Sequence, residues 1–167
     1  VPEKDFDAML AKGEHIEMLR GVSGFATKTS AQLADQFRTG DHFPGHGCFG
    51  AGTYCDGSKG STNAAERYAG SSGSVIRVAL PKSAKIITQS ELEKLVPKEP
   101  ADAVKYGHHP RNQEWWGVQA ALAGYDAIHV DGKSRYHGSY GKNYYVILNR
   151  GALVVQETNA KPGHQVK

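Results

Sequence analysis

Cysteine is nearly missing from this sequence of 167 residues: only Cys48 and Cys55 occur, and they do not form a Cys-x-x-Cys pair. That excludes a disulfide framework and the paired-thiolate spacing of a structural zinc site. None of the eight histidines stands in a His-Glu-x-x-His pattern, and no metal is expected. No apolar run approaches the roughly 20 residues that cross a bilayer, and the charged, helix-patterned first residues do not read as a signal peptide. A soluble domain with no membrane partner, cut from a longer protein or standing alone, is the expectation. Charge of one sign is not concentrated either. Lys and Arg number 20 against 17 Asp and Glu, a net of +3, which permits nucleic-acid binding without implying it. Repeats, low-complexity tracts and a dividing linker are also missing. With 39% hydrophobic residues, one domain of this length buries about two thirds of the surface its unfolded chain exposes.

What is present reads as helices early and strands late. Phe6, Met9 and Leu10 recur at helical spacing over 3–12, before Gly13, and residues 15–22 read as a strand. Thr29 or Ser30 can cap a helix that carries Leu33, Ala34 and Phe37 and ends before Gly40. A glycine-studded loop over 40–52 follows, then a short strand in GTYCDG. Ser61 can cap a short helix through Tyr68, because a hydroxyl there accepts from the free amides of a first turn. SVIRVALP (74–81) and AKIIT (84–88) alternate or are rich in β-branched residues, as strands are. Ser90 can cap a further turn of helix, and 97–110 reads as a surface excursion. A helix from about Asn112 to Ala123 ends on Gly124, and AIHVDG, YYVILN and ALVVQE supply three closing strands. Without βαβ alternation, the predicted class is α+β, in a single domain over 1–167.

The chemistry concentrates in CFGAGTYC (48–55) and the following GSKGSTNAAERYAG (57–70). The glycine spacing is not that of a P-loop or a Rossmann turn. It resembles the segment of poly(ADP-ribose) polymerases and related toxins in which a Gly-x-Gly-x-Tyr strand leads to a small helix with a second tyrosine. Gly50, Gly52, Tyr54 and Tyr68 occupy those positions. The resemblance implies that the two rings sandwich the cationic nicotinamide of NAD, a contact worth up to about 2 kcal/mol when desolvated.

Arg20-Gly21, at the end of the first strand, is similar to the toxin branch of that superfamily, where the arginine binds the NAD phosphates. A planar fork suits a diphosphate because it donates two parallel charge-assisted bonds. Gly21 would let its backbone approach the carboxamide. The polymerases carry histidine there, so the chain mixes the Arg-Ser-Glu and His-Tyr-Glu classes. Ser61 and Thr62 resemble the toxins' Ser-Thr-Ser element, although capping explains them nearly as well.

NYYVILNRGALVVQE (143–157) resembles the toxins' last strands, with Asn143 and Tyr145 where a Glu-x-Glu pair belongs. Breaking the nicotinamide glycosidic bond builds positive charge on the ribose, which a carboxylate normally stabilises. The best substitute is Glu114, beside Trp115 and Trp116, which could bury it and raise its pKa; a favourable first-turn helix charge is an equal reading. Asp56 and Asp131 rank second, and Asp126 reads as a turn residue.

On these residues the chain is identified by resemblance, over roughly 16–157, as a bacterial mono-ADP-ribosyltransferase toxin or effector domain. That implies a split β core with flanking helices around an NAD cleft, and NAD as a substrate used without metal. It also implies a macromolecular acceptor, protein ahead of nucleic acid, delivery into a target cell as part of a secreted effector, and a cognate immunity or inhibitor protein. Two alternatives stay open. One is the same transfer onto structured RNA or DNA, held by Arg135, Tyr136, His137, Tyr140 and Lys142 in the loop over 132–142. The other is an inactive NAD-shaped binding module, suggested by Asn143 and Tyr145.

Overall fold

The computed structural model describes residues 1–25, 27–41, 45–47, 49–95, 114–131 and 143–167, with backbone alone at 46, 114 and 115. Helix α1 (Glu3–Ala11) carries Glu3 and Asp5 in its first turn, where the helix dipole favours negative charge, and buries Phe6. Strand β1 is His15–Val22. Helix α2 (Ser30–Thr39) starts with a capping box: the Thr29 side chain accepts from the Gln32 amide, and the Gln32 side chain accepts from the Thr29 amide. It buries Leu33, Ala34 and Phe37 and ends on Gly40, whose φ of 88° is the left-handed conformation glycine adopts without strain.

The sequence from 40 to 52, expected to be loop, contains a hairpin of β2 (Gly45–Gly47) and β3 (Gly50–Asp56). A 3₁₀ turn (Gly60–Thr62) leads to α3 (Ala65–Ala69) and β4 (Ser74–Pro81). Strand β5 (Ile86–Thr88) and helix α4 (Gln89–Leu95) follow. Helix α5 (Glu114–Leu122), β6 (Ala127–Val130), β7 (Tyr144–Ile147), a 3₁₀ turn (Arg150–Ala152) and β8 (Val154–Asn159) complete the described chain. The expected surface excursion at 97–110 and the loop over 132–142 lie outside the described residues.

The class is α+β. One sheet runs β5-β6-β7-β3-β1-β4-β8, with β2 also on β3. Among the described strand pairs, only β5 with β6 is parallel. β1 pairs with β4 from His15↔Pro81 to Val22↔Ser74, yet it meets β3 at a single pair, Leu19↔Asp56. Beyond that pair the two strands splay, and the sheet is two halves joined at one point.

Alternation of side chains across the pleat gives each face its own core. Under α2 lie Met18, Ile76, Val78, Leu80, Cys55, Tyr145 and Ile147, packed with Phe37. The opposite face of the β7 half packs Tyr144, Val146, Ile128 and Val130 with Phe49, Leu92 and Trp116. On that face of the β1 half, Leu19, Ala65 and Val166 form a small third cluster. Arg77 is buried beside it and donates to Glu17 Oε1, Asp7 Oδ1 and Gln156 Oε1, each at 2.8 Å, with its Cζ 4.8 Å from the Phe6 ring centroid. Among the described residues, no helix is long and apolar enough to cross a membrane.

Candidate functional site

The splay between β1 and β3 opens a cleft bordered by Leu19, Arg20 and Gly21 of β1, Gly45 and Gly47 of β2, and Tyr54, Cys55 and Asp56 of β3. Ala64, Ala65 and Tyr68 form its α3 wall, and Tyr144 of β7 stands at its back. Arg20, Gly21, Tyr54, Tyr68 and the second-rank candidate Asp56, five residues that the sequence singled out, therefore border one cavity.

Arg20 reaches across the splay. Its Nη1 donates to the Tyr54 carbonyl at 3.2 Å, and its Cζ sits 5.2 Å from the Phe37 ring centroid. Its Nε is buried and meets no hydrogen-bond partner, and no carboxylate pairs with it among the described residues. Burial pushes the guanidinium below its ordinary value, with Cys55 and Tyr68 pulling it back. A half-buried cation with a sealed, orphaned donor and no paired carboxylate is costly, and an anion at its exposed part would offset that cost.

Gly21 is required by packing. A Cβ there would lie 2.1 Å from the Ala65 carbonyl oxygen and 2.9 Å from the Ala69 amide. The expected reason, approach of its backbone to a ligand, is not needed to explain the glycine. Tyr54 is held rather than free to swing: its hydroxyl donates to the Gly50 carbonyl at 2.7 Å and accepts from the Phe49 amide at 3.2 Å. Its ring fills the place a Gly47 side chain would occupy, 2.5 Å from an added Cβ. Tyr68, 53% exposed, stands at the mouth on α3. Cys55 is buried, and that burial pushes its thiol up to about 12, against the pull of Arg20 and Arg150.

Apart from Asp56, the other expected site residues lie elsewhere. Gly52 does not border this cleft; with Gly117, Val118 and Leu148 it lines a separate apolar depression, and a Cβ on it would come within 2.8 Å of Val146 Cγ1. Gly50, with φ of 84°, shapes the turn into β3. Ser61 is exposed in the 3₁₀ turn and does not cap α3; neither does Thr62, whose hydroxyl donates to the Lys59 carbonyl at 2.6 Å. Two other residues do the capping. Asn63 Oδ1 accepts from the Ala65 amide at 3.0 Å, and Asp56 Oδ2 accepts from the Ala64 amide at 2.8 Å. Asp56 Oδ1 accepts from the Ser58 amide at 2.7 Å, so both carboxylate oxygens hold backbone. Asp126 ties the residue before β5 to the turn after β7, accepting from the Lys85 amide and the Asn149 side chain. Those bonds, the Asn149 one first, hold its carboxyl below the usual range. Asp131 follows β6 and does not border the cleft.

The β7 side chain at the cleft is Tyr144, cross-strand from Asp56 and 6.4 Å from the Tyr54 ring centroid. Asn143 and Tyr145 face the other side of the sheet. Asn143 Oδ1 bonds His129 Nε2 at 2.6 Å, and Tyr145 stacks on the His129 ring at 4.3 Å. The sequence missed Tyr144, although period-two alternation separates it from its neighbours once the register with β3 is known. Glu114 is the first residue of α5, a helix seated on the turn into β3 so closely that a Gly117 Cβ would meet the Phe49 carbonyl oxygen at 2.4 Å. The Glu114 and Trp115 side chains, Cys48 and the loop over 132–142 lie outside the described residues. Trp116 is buried 6.2 Å from Phe49, centroid to centroid. Among the described residues, no three His, Cys, Asp or Glu side chains gather as a metal site would need.

No family model and no curated protein matches the chain. A crystal structure of an anti-CRISPR protein is similar, with a TM-score of 0.42 and 15% identity, over 85% of this chain and 94% of that one. A likeness that loose carries neither fold nor function.

Proposed function

We propose that this chain is a mono-ADP-ribosyltransferase domain that binds NAD in the cleft between β1 and β3 and passes its ADP-ribose to a macromolecule, a protein ahead of a nucleic acid. The observation that carries the reading is the convergence of Arg20, Gly21, Tyr54 and Tyr68 on the point where the sheet splits. The splay itself supports the split β core expected of that family. The cleft offers groups suited to both charges of NAD. The Arg20 fork, which no carboxylate among the described residues pairs with, suits the diphosphate. The rings of Tyr54, Tyr68 and Tyr144 suit a pyridinium.

In the transfer, the bond from C1′ of the ribose to the pyridinium nitrogen breaks and nicotinamide leaves with the bonding electrons. A nucleophile of the acceptor then bonds C1′ and gives up its proton. Positive charge on the ribose is greatest midway, and Glu114 is the carboxylate proposed to face it. Action after delivery into another cell belongs to the same proposal.

One observation favours a second reading. Asp56 has both oxygens on backbone amides, and Tyr144 occupies the β7 position at the cleft. A cleft without a free carboxylate would bind NAD and leave it intact.

Calorimetry in EDTA, followed by labelled NAD with a whole-cell lysate, tests both readings. NAD binding without metal and label lost only to protease are expected. Label lost only to nuclease would move the acceptor to RNA or DNA; binding without label would select the inactive module. Glu114→Gln should keep NAD affinity and lose turnover by about two to three orders of magnitude. Absence of NAD binding ends the proposal.

A further inference from the structure

We infer that the C-terminal segment 160–167 is a working part of the cleft, with Val166 as the positioning residue that holds α3, and through it Tyr68, against β1; this rests on the reading of the cleft as an NAD site. Helix α3 has five residues, far below the length at which a helix holds itself in water. Its place is therefore set from outside. Asp56 and Asn63 fix its start, and Gly21 lets it lie directly on β1.

The remaining support comes from the far end of the chain. Val166, 6% exposed, packs with Leu19 and Ala65, both of which border the cleft. Its carbonyl accepts from the Gly60 amide at 3.1 Å, just ahead of α3. The Gly163 amide donates to Glu66 Oε1 at 2.9 Å, on α3 itself. The segment is anchored in turn: the Ala160 amide donates to the Val75 carbonyl at 2.8 Å, and His164 Nε2 meets Glu17 Oε1 at 2.8 Å, the same carboxylate that Arg77 holds. A wedge under a one-turn helix fixes where that helix's tyrosine stands, and Tyr68 is the exposed side of the ring pair proposed to hold nicotinamide.

Val166→Ala removes the wedge and leaves every tie of the backbone. NAD affinity should fall about three- to tenfold, the scale of losing buried methyl groups under a contact. Amide exchange at Tyr68 and Gly70, which donate within α3, should rise about tenfold, with the β4 amides unchanged. In a Tyr68→Ala background the same change should weaken NAD less than twofold, because the ring it positions is gone. A cost undiminished by Tyr68→Ala would mean that the segment acts through general stability, and would overturn the inference. So would unchanged affinity and exchange. If Val166→Ala does not fold, Glu66→Ala cuts the Gly163 tie and should give the same pattern, more weakly. Wild-type protein that binds no NAD would end the transferase reading; α3 exchange that still responds would then leave Val166 bracing a cavity of another purpose, and the inference about Tyr68 and nicotinamide would fall with the reading.

Discussion

Gly21→Ala separates two explanations of one glycine. A methyl group there would sit 2.1 Å from the Ala65 carbonyl oxygen, where real Cβ contacts essentially never come under 3.0 Å. Both the obstructing oxygen and the Ala69 nitrogen at 2.9 Å are backbone, so no side chain can turn aside. Helix α3 would have to retreat by roughly 1 Å, an overpacking that costs about 1–3 kcal/mol. For a chain of this size that lowers Tm by about 2–12 °C. The retreat carries Tyr68 with it, so NAD affinity should fall in step with stability. Were Gly21 instead present for a ligand to approach its backbone, alanine would weaken NAD and leave Tm alone. Scanning calorimetry and NAD titration on the same preparation distinguish the cases. A Gly21→Ala protein with wild-type Tm would refute the packing argument outright.

Tyr54→Phe removes a hydroxyl that bridges the Phe49 amide and the Gly50 carbonyl; it should cost about 1–2 kcal/mol in urea unfolding, and a silent substitution would show that the bridge contributes nothing. Arg77→Met takes the guanidinium from the largely covered Glu17 carboxylate and leaves it, among the described residues, with His164; it should cost about 3–5 kcal/mol, part of which Glu17→Met in the same chain restores. Cys55 keeps its proton when folded until about pH 12, while in the unfolded chain it ionises near 9. Stability should therefore be unaffected below pH 9 and fall above it by about 1.4 kcal/mol per unit, relative to Cys55→Ala. Parallel pH profiles for the two proteins would contradict this.

Elements whose signals are local were legible. The Thr29 cap and Gly40 stop bracket α2 within one residue, and alternation in SVIRVALP marks β4 from end to end. Five cleft residues, Arg20, Gly21, Tyr54, Asp56 and Tyr68, were legible because each carries a distinctive chemistry beside a glycine or at a strand end. What failed depends on pairings that sequence does not print. Strand β2 is Gly-His-Gly and offers no side-chain pattern at all. Ser61 is a good cap by type, but Asp56 lies eight residues before the amide it holds and wins by geometry. Asn143 and Tyr145 were placed at the cleft by matching spacing; the Asp56↔Tyr144 register turns them to the other face. The Arg77 cluster draws on positions 7, 17 and 156, which no window along the chain would bring together.

The ladders that build the split sheet join partners far apart in the chain: His15 with Pro81, Thr53 with Ile147, Val78 with Val155. Closing such loops costs entropy before any contact is gained, so folding of this topology belongs to the slow, millisecond-to-second range. The consequence falls on synthesis. Until β7 emerges, β3 has no neighbour on its outer side, and until β8 emerges β4 has none, so neither wall of the cleft can set while the ribosome is still upstream of them. A chain stopped short of β7 carries Arg20, Tyr54 and Tyr68 in full, but lacks Tyr144 and the strand that β3 pairs with along its outer edge.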